Sequence, residues 1–346
     1  MRILVARRDV DPNTADHNGE TPLLQAVRKG HQGVVRMLLE QNDVDPEAAN
    51  QYGRTALSQA ARYGHEEILR MLLGRSEVDP NSVDQEALTP LHRAAGNGHE
   101  GVVRILLERD VYPDTPDNEG GTPLSWAAQY GHEGILRMLL SQSDVNPNSA
   151  DKYALTPLHR AAGNGHEGVV RILLERDVYP DTPDNEGRTP LWWAARYGCE
   201  EVVRILLERN DVYPDTANKQ GRTPFWMAAR YGSKGMVRML LERNEVNPAI
   251  GDEDGRTPLS HAVQYGCEEN VEILLERNDV YPDKADKYGQ TALWWATILR
   301  RWRILKLLQD LRDSICRRIA SLQPTELFPT EQSGPSGPPS KRTRRS

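Results

Sequence analysis

Phenylalanine and cysteine are almost missing here, with two Phe and three Cys in 346 residues. With aromatic residues at 6% and hydrophobic residues at 38%, one large globular core is disfavoured against many small, similar interfaces filled by Leu, Ala, Val and Ile. Cys199, Cys267 and Cys316 are too few and too scattered for a disulfide framework, and they suit a reducing compartment. No run reaches the roughly 18 apolar residues of a membrane helix, and the apolar start MRILVA is too short for a signal peptide. A stripe of one charge is lacking too. The 43 basic and 50 acidic residues are mixed along the chain for a net charge of −7, which sets nucleic acid and membrane aside as partners. These absences point to a soluble cytoplasmic protein built either as two ordinary domains or as one elongated array.

What is present is repetition. The 34 residues from Ala87 to Gly120 recur without a change from Ala154 to Gly187, and threonine followed by Pro or Ala stands at Thr21, Thr55, Thr89, Thr122, Thr156, Thr189, Thr223, Thr257 and Thr291, at intervals of 33 or 34. A catalytic site is not normally installed twice at a fixed interval, whereas a structural module is. Such duplication also suggests expansion by recombination.

Each unit predicts two short antiparallel helices and a turn. In GRTPLWWAARYG, Thr189 is an N-cap, Pro190 fits the first helical position, Leu191, Ala194 and Ala195 share a face, and Gly198 ends the helix. In CEEVVRILLERN, Glu200 and Glu201 open the second helix and Arg209 closes it, with Val202, Val203, Leu206 and Leu207 as its apolar stripe. Asn210 is expected as a left-handed cap. DVYPDTANKQG then reads as an extended loop turning back through Gly221.

These units resemble ankyrin repeats, whose period is near 33 with a TPLHxA core. TPLH stands at Thr89–His92 and Thr156–His159, and the turn between the helices is GH at Gly30, Gly64, Gly98, Gly131 and Gly165. The resemblance covers about residues 1 to 310 and implies an all-α ankyrin-repeat solenoid of helix-turn-helix units joined by hairpin-like loops. Departures are Ala87 and Ala154 at the glycine of the hairpin tip, proline in the loop at Pro113, Pro180, Pro214 and Pro282, and Trp, Ser or Leu at the TPLH histidine. The expected division is a partial repeat over 1–16, the array over 17–300, a capping helix over 301–322 and a disordered basic tail over 323–346. The capping stripe is Ile304, Leu308, Leu311, Ile315, Ile319 and Leu322. The half-unit start at Met1 raises the expectation of further protein upstream, and Lys341, Arg342, Arg344 and Arg345 that of nuclear import.

Chemistry finds no foothold. GHEGVV at His99 and Glu100 has Val103 where a zinc helix needs its second His, and the slot shared by His31, His65, His99, His132, His166, Cys199 and Cys267 repeats at unit spacing, about 8–10 Å, too wide for one metal. GNG at Gly96–Gly98 lacks the Lys-Ser/Thr of a phosphate loop, and DEDG at Asp252–Gly255 lacks the later ligands of a calcium loop. No catalytic residue, metal, cofactor or small-molecule substrate is expected. His92 and His159 are expected to hydrogen-bond within the framework.

The resemblance implies a partner surface on the concave face, from hairpin tips and the exposed end of the first helix. The residues there are Arg28, Arg62, Tyr63, Gln129, Tyr130, Arg196, Tyr197, Arg230, Tyr231, Gln264 and Tyr265, with Gly96–Asn97 and Gly163–Asn164 interrupting them. Tyr and Arg are enriched at interface hot spots, so the row reads either as a ladder for an extended protein segment or as a consensus copied by duplication. The tryptophans at and after the TPLH histidine, Trp126, Trp192, Trp193, Trp226, Trp294 and Trp295, read as packing between units. The function expected is a non-catalytic protein-binding scaffold. Arrays of near-identical units are also similar to the sensor regions of large fungal proteins with an upstream nucleotide-binding switch, so a recognition arm of such a protein and a nuclear adaptor are the alternatives.

Overall fold

Nine threonines set the architecture. Each is the N-cap of a first helix, extended in backbone, with its hydroxyl accepting the amide three residues on. Thr189 accepts from Trp192 N at 3.3 Å. Proline follows in seven of the nine, where its missing N–H costs nothing.

The computed structural model describes residues 11–321, and these form eighteen α-helices and no strand. In order they pair as α1 (Pro22–Arg28) with α2 (Gln32–Leu39), α3 (Ala56–Tyr63) with α4 (Glu66–Leu73), and α5 (Pro90–Asn97) with α6 (Glu100–Leu107). Next come α7 (Pro123–Tyr130) with α8 (Glu133–Leu140), α9 (Pro157–Asn164) with α10 (Glu167–Leu174), and α11 (Pro190–Tyr197) with α12 (Glu200–Leu207). The last are α13 (Pro224–Tyr231) with α14 (Lys234–Leu241), α15 (Pro258–Tyr265) with α16 (Glu268–Leu275), and α17 (Ala292–Ile298) with α18 (Trp302–Ser321). First helices pack on first helices of the next unit and second on second, giving two layers with the core between them. That core is mainly Leu, Ala, Val and Ile, joined by Trp192, Phe225, Trp226, Met227 and Met236.

A left-handed glycine turns most pairs, Gly198 at φ 75° among them. Two units differ. Gly232 is extended, and Ser233 caps α14 instead by accepting from Met236 N at 3.1 Å. In the last pair Arg300 takes the left-handed position itself, at φ 53°.

The second helices close in a way the sequence did not indicate. Asn210 is not left-handed; α12 ends on right-handed Glu208, whose N–H reaches the Arg204 and Leu206 carbonyls. Arginine supplies the reason. Arg209 donates to the Leu174 carbonyl at the end of α10, 3.2 Å away, and grips Asp211 with two further bonds, just as Arg75 reaches Leu39 O at 2.8 Å. The orphan carbonyls of one unit are thus met by a side chain of the next, and no left-handed residue is needed.

Hairpin tips form a third set of joints. An Asp or Asn begins each tip, as Asp184 does, with Oδ1 accepting from two amides of the turn, Glu186 and Arg188, both at 2.9 Å. The same pair of bonds recurs from Asp16, Asn50, Asp84, Asp117, Asp151, Asn218, Asp252 and Asp286. Backbone bonds then run from tip to tip, for instance Gln85 N to Tyr52 O at 3.1 Å. Asp252, first residue of DEDG, is therefore a buried framework group.

At the far end α18 occupies the place of a second helix and runs longer than the others. Ile304 and Leu308 are buried against the array, while Ile315 is 45% exposed, so the apolar stripe outruns the surface it covers. Residues 1–10 of the expected half unit, Leu322, the side chain of Ile319, and the basic tail with Lys341, Arg342, Arg344 and Arg345 lie outside what is described.

Candidate partner-binding face

The expected row lies in the last turn of the first helices, and its backbone and side chains have separate duties. The backbone ties units together. His99 Nε2 bonds the Arg62 carbonyl at 2.9 Å, His132 bonds Gly96 O at 3.3 Å and His166 bonds Gln129 O at 2.9 Å. Cys267 Sγ reaches Arg230 O at 3.3 Å, and Arg301 reaches Gln264 O at 3.5 Å. At His99, His132, His166, Cys199 and Cys267 the slot is thus a joint to the unit before, whereas His65 Nε2 is buried without a hydrogen-bond partner. Burial pushes the Cys199 and Cys267 thiols up, away from the reactive thiolate form. Among the described residues no three His, Cys, Asp or Glu gather as a metal would need.

The side chains face outward to differing degrees. Tyr63 is 43% exposed, Tyr130 48%, Tyr197 57% and Tyr265 45%; Tyr231 is half-buried against the core. Arg28 pairs loosely with Glu20 at 3.9 Å, and Gln129 accepts from Arg160 at 2.9 Å. Arg62 lies 5.9 Å from the ring of its own Tyr63, which stacks beside His65. Over α11, α13 and α15 the pattern changes, because each arginine now meets a tyrosine of the following unit as well. Arg196 sits 5.5 Å from the Tyr197 ring and 3.9 Å from that of Tyr231; Arg230 sits 4.3 Å from Tyr231 and 3.6 Å from Tyr265. The structure brings Arg196, Tyr197, Arg230, Tyr231 and Tyr265 together and leaves Arg28, Arg62, Tyr63 and Gln129 with other neighbours.

The interruptions in the row have a steric cause. A Cβ on Gly96 would stand 2.7 Å from Trp126 Cε3, and one on Gly163 would stand 3.3 Å from Trp193 Cε3. Glycine lets the tryptophan of the next unit lie over the helix. There Trp193 stacks on Tyr197 with centroids 5.7 Å apart and bonds Asp184 at 3.0 Å, while Trp126 bonds Asp117 at 2.9 Å. A cleft of about 250 Å³ opens beside Trp193 and Tyr197, floored by His159 and Arg160.

His92 and His159 hold the framework as expected. The Nδ1 of His92 accepts from Thr89 N at 3.1 Å, closing a capping box, and Nε2 meets Gly121 O of the next unit at 3.1 Å; His159 does the same with Thr156 and Arg188 O. Burial pushes both rings down to about 4. The tryptophans at this position keep the outward bond: Trp192 donates to Arg222 O at 3.1 Å and Trp226 to Arg256 O at 3.2 Å. Trp294, over which no further hairpin lies among the described residues, is 39% exposed.

One residue escaped the sequence reading. His261 follows the capping position, where other units carry Trp126, Trp193 or Trp295. Its ring lies 3.8 Å from that of Trp226 and stacks on Tyr265 at 5.7 Å, and both nitrogens are buried without a hydrogen-bond partner. Burial, then the charges of Arg230, Arg222 and Arg256, push it down to about 3. Its sequence signal was a histidine in a column otherwise aromatic, Met, Gln or Arg.

Comparison with known proteins accords with this geometry. The family model described as ankyrin repeats in three copies matches residues 1–84, 76–151, 143–217 and 210–286. No curated protein matches. Among solved structures, the crystal structure of the human ASB11 ankyrin repeat domain is similar, at 27% identity and a TM-score of 0.56, over 60% of this chain and 92% of that one. Ankyrin repeats are generally protein–protein interaction modules, and the fold is typically non-catalytic. No helix among the described residues is long and apolar enough to cross a membrane. With nine capped helix pairs at intervals of 33 or 34 residues and a family match running from residue 1 to 286, this chain belongs to the ankyrin-repeat family.

Proposed function

We propose that the chain is a scaffold that takes an extended segment of a partner protein along the outward ends of its first helices, on the concave side of the stack, and carries out no catalysis itself. What supports this is the exposure of Tyr63, Tyr130, Tyr197 and Tyr265 at one recurring position, with the carbonyl of the preceding residue tied to the next unit at Arg62, Gln129 and Gln264. Large aromatic rings left half in solvent on a rigid support lose little entropy on binding. Arg28, Arg62, Gln129, Arg196, Arg230, Tyr231 and Gln264 complete the face. Tyr231 belongs to the support, because it is half-buried between two arginines.

The test is a triple change, Tyr63→Ala, Tyr197→Ala and Tyr265→Ala, in the full chain, assayed against a partner purified with the unaltered protein. Binding at least tenfold weaker with an unchanged helical signal and melting temperature is expected. Unchanged binding, or loss of the fold, would make these tyrosines framework and overturn the reading.

A further inference from the structure

The arginines of this face are not equivalent. Arg188, Arg222 and Arg256 in the hairpins each have a carboxylate partner, Asp184 at 2.7 Å, Asp252 at 3.6 Å and Asp286 at 3.5 Å respectively. Arg196 and Arg230 make no ion pair among the described residues, and Arg230 Nε is buried without a hydrogen-bond acceptor. Aromatic rings hold them instead, in an alternating stack that runs Tyr197, Arg196, Tyr231, Arg230, Tyr265.

A guanidinium laid on a ring keeps its donors at its edge, in the plane, aimed away from the aromatic faces. Such an edge matches the two oxygens of a carboxylate, and the stack has already restricted the side chain before any ligand arrives. The charges of Arg196 and Arg230 stay unneutralised among the described residues, whereas Arg222 and Arg256 nearby are already paired with Asp252 and Asp286.

We propose that Arg196 and Arg230 receive two carboxylates of an acidic, extended protein segment, one per unit. This rests on the reading of the first-helix ends as the partner face and adds the chemistry of the partner. First helices of adjacent units stand roughly 10 Å apart. A polyproline-type segment rises about 3.1 Å per residue with three residues per turn, so side chains three apart share a side at about 9 Å. In a strand the same side recurs at about 6.6 or 13 Å, a poorer fit. The segment recognised therefore carries Asp or Glu at positions i and i+3. A nucleic acid fits less well. From Arg301 onward ten basic residues face four acidic ones, so the preceding 300 residues carry the whole acidic excess, 46 acidic against 33 basic, and repel a dense polyanion.

Random twelve-residue peptides displayed on phage and selected on the immobilised full chain test this. Expected are binders enriched in Asp or Glu three residues apart. The best of them, synthesised, should bind at least tenfold more weakly when its acids become Gln or Asn, and at least tenfold more weakly to a chain carrying Arg196→Gln and Arg230→Gln. Glutamine keeps a planar group over the tyrosines, and circular dichroism melting confirms that the variant is folded. No retained peptide, no acidic enrichment, or equal binding to the variant overturns the proposal. Binders without acids that still lose affinity on the triple tyrosine change would leave the face reading standing and remove only the acidic partner; binders indifferent to both changes would remove both.

Discussion

Trp192 donates its indole N–H to the carbonyl of Arg222, 3.1 Å away in the next hairpin, and so does for its unit what His92 does for an earlier one by meeting Gly121 O at 3.1 Å. Two unlike side chains serve one joint because what matters at that position is a planar ring with an N–H on its far side, able to span one unit and reach the next. The exchange alters one property. Indole has no acid–base behaviour in water's range, whereas imidazole does.

The histidine units should therefore make stability depend on pH. In the fold His92 and His159 sit at about 4, held there by burial, against about 6.5 in an unfolded chain. Their folded values lie below the unfolded one, so the unfolded chain takes up protons first as pH falls. Stability is fully present above pH 6.5, is lost between 6.5 and 4, and levels off below that, at about 3 kcal/mol for each ring. Changing both to Gln keeps a capping box, in which Gln accepts the threonine amide, and removes the titration. Urea unfolding followed from pH 8 to pH 4 should show a steep decline in the unaltered chain and a flatter one in His92→Gln/His159→Gln. Parallel declines would mean that the rings are not the protons being counted.

Local signals carried the units a long way. Thr189, Pro190 and Gly198 were legible because caps and turns depend on a few neighbouring residues, and the apolar spacing of Val202, Val203 and Leu206 gave the buried face. The joints were not legible, because His99 to Arg62 O spans 37 residues and is fixed only once two units are laid side by side. Asn210 failed for the same reason: its own propensity favours a left-handed cap, but Arg209 reaches the preceding unit and closes the helix end first. The Arg–Tyr row looked uniform in sequence and is not in space. Whether an arginine stacks on two rings depends on the next unit, where Tyr231 and Tyr265 follow Arg196 and Arg230 but Asn97 follows Arg62.

A second pH effect should run in the opposite direction, through the loops that follow the second helices. Asn148 accepts from Tyr179 N at 3.0 Å and donates to Asp177 O at 2.8 Å, clamping the next loop with both ends of its amide. Asp181 and Glu47 hold the corresponding place with a carboxyl, one oxygen of which is buried without a partner. Burial pushes Asp181 up to about 6 and Glu47 up to about 7. These folded values lie above the unfolded ones, so both groups gain stability as pH falls from about 7 towards 4 and lose it again as pH rises. Asp181→Asn supplies the missing donor at every pH. It should raise stability by about 1–3 kcal/mol at pH 8, where the half-buried carboxyl is charged, and change little at pH 4. A gain of the same size at both ends of the range would show that charge is not the difference.

The hairpin tips allow a comparison with backbone conformation alone. Ala87 and Ala154 stand left-handed, at φ 59° and 61°, in the place where Gly53 stands at 74°. Alanine there crowds its Cβ against the carbonyl for about 1–2 kcal/mol, and glycine avoids this while giving back part of the gain through its freer unfolded chain. Ala87→Gly and Ala154→Gly should each stabilise the array by about 0.5–1 kcal/mol in a thermal melt. The reverse change, Gly53→Ala, should cost more than those gain, because its Cβ would also stand 3.0 Å from Gln85 N, the amide that bonds Tyr52 O to tie one tip to the next. If the two alanine changes leave the melting temperature unmoved while Gly53→Ala lowers it, contact between tips rather than backbone strain is what glycine serves at this position.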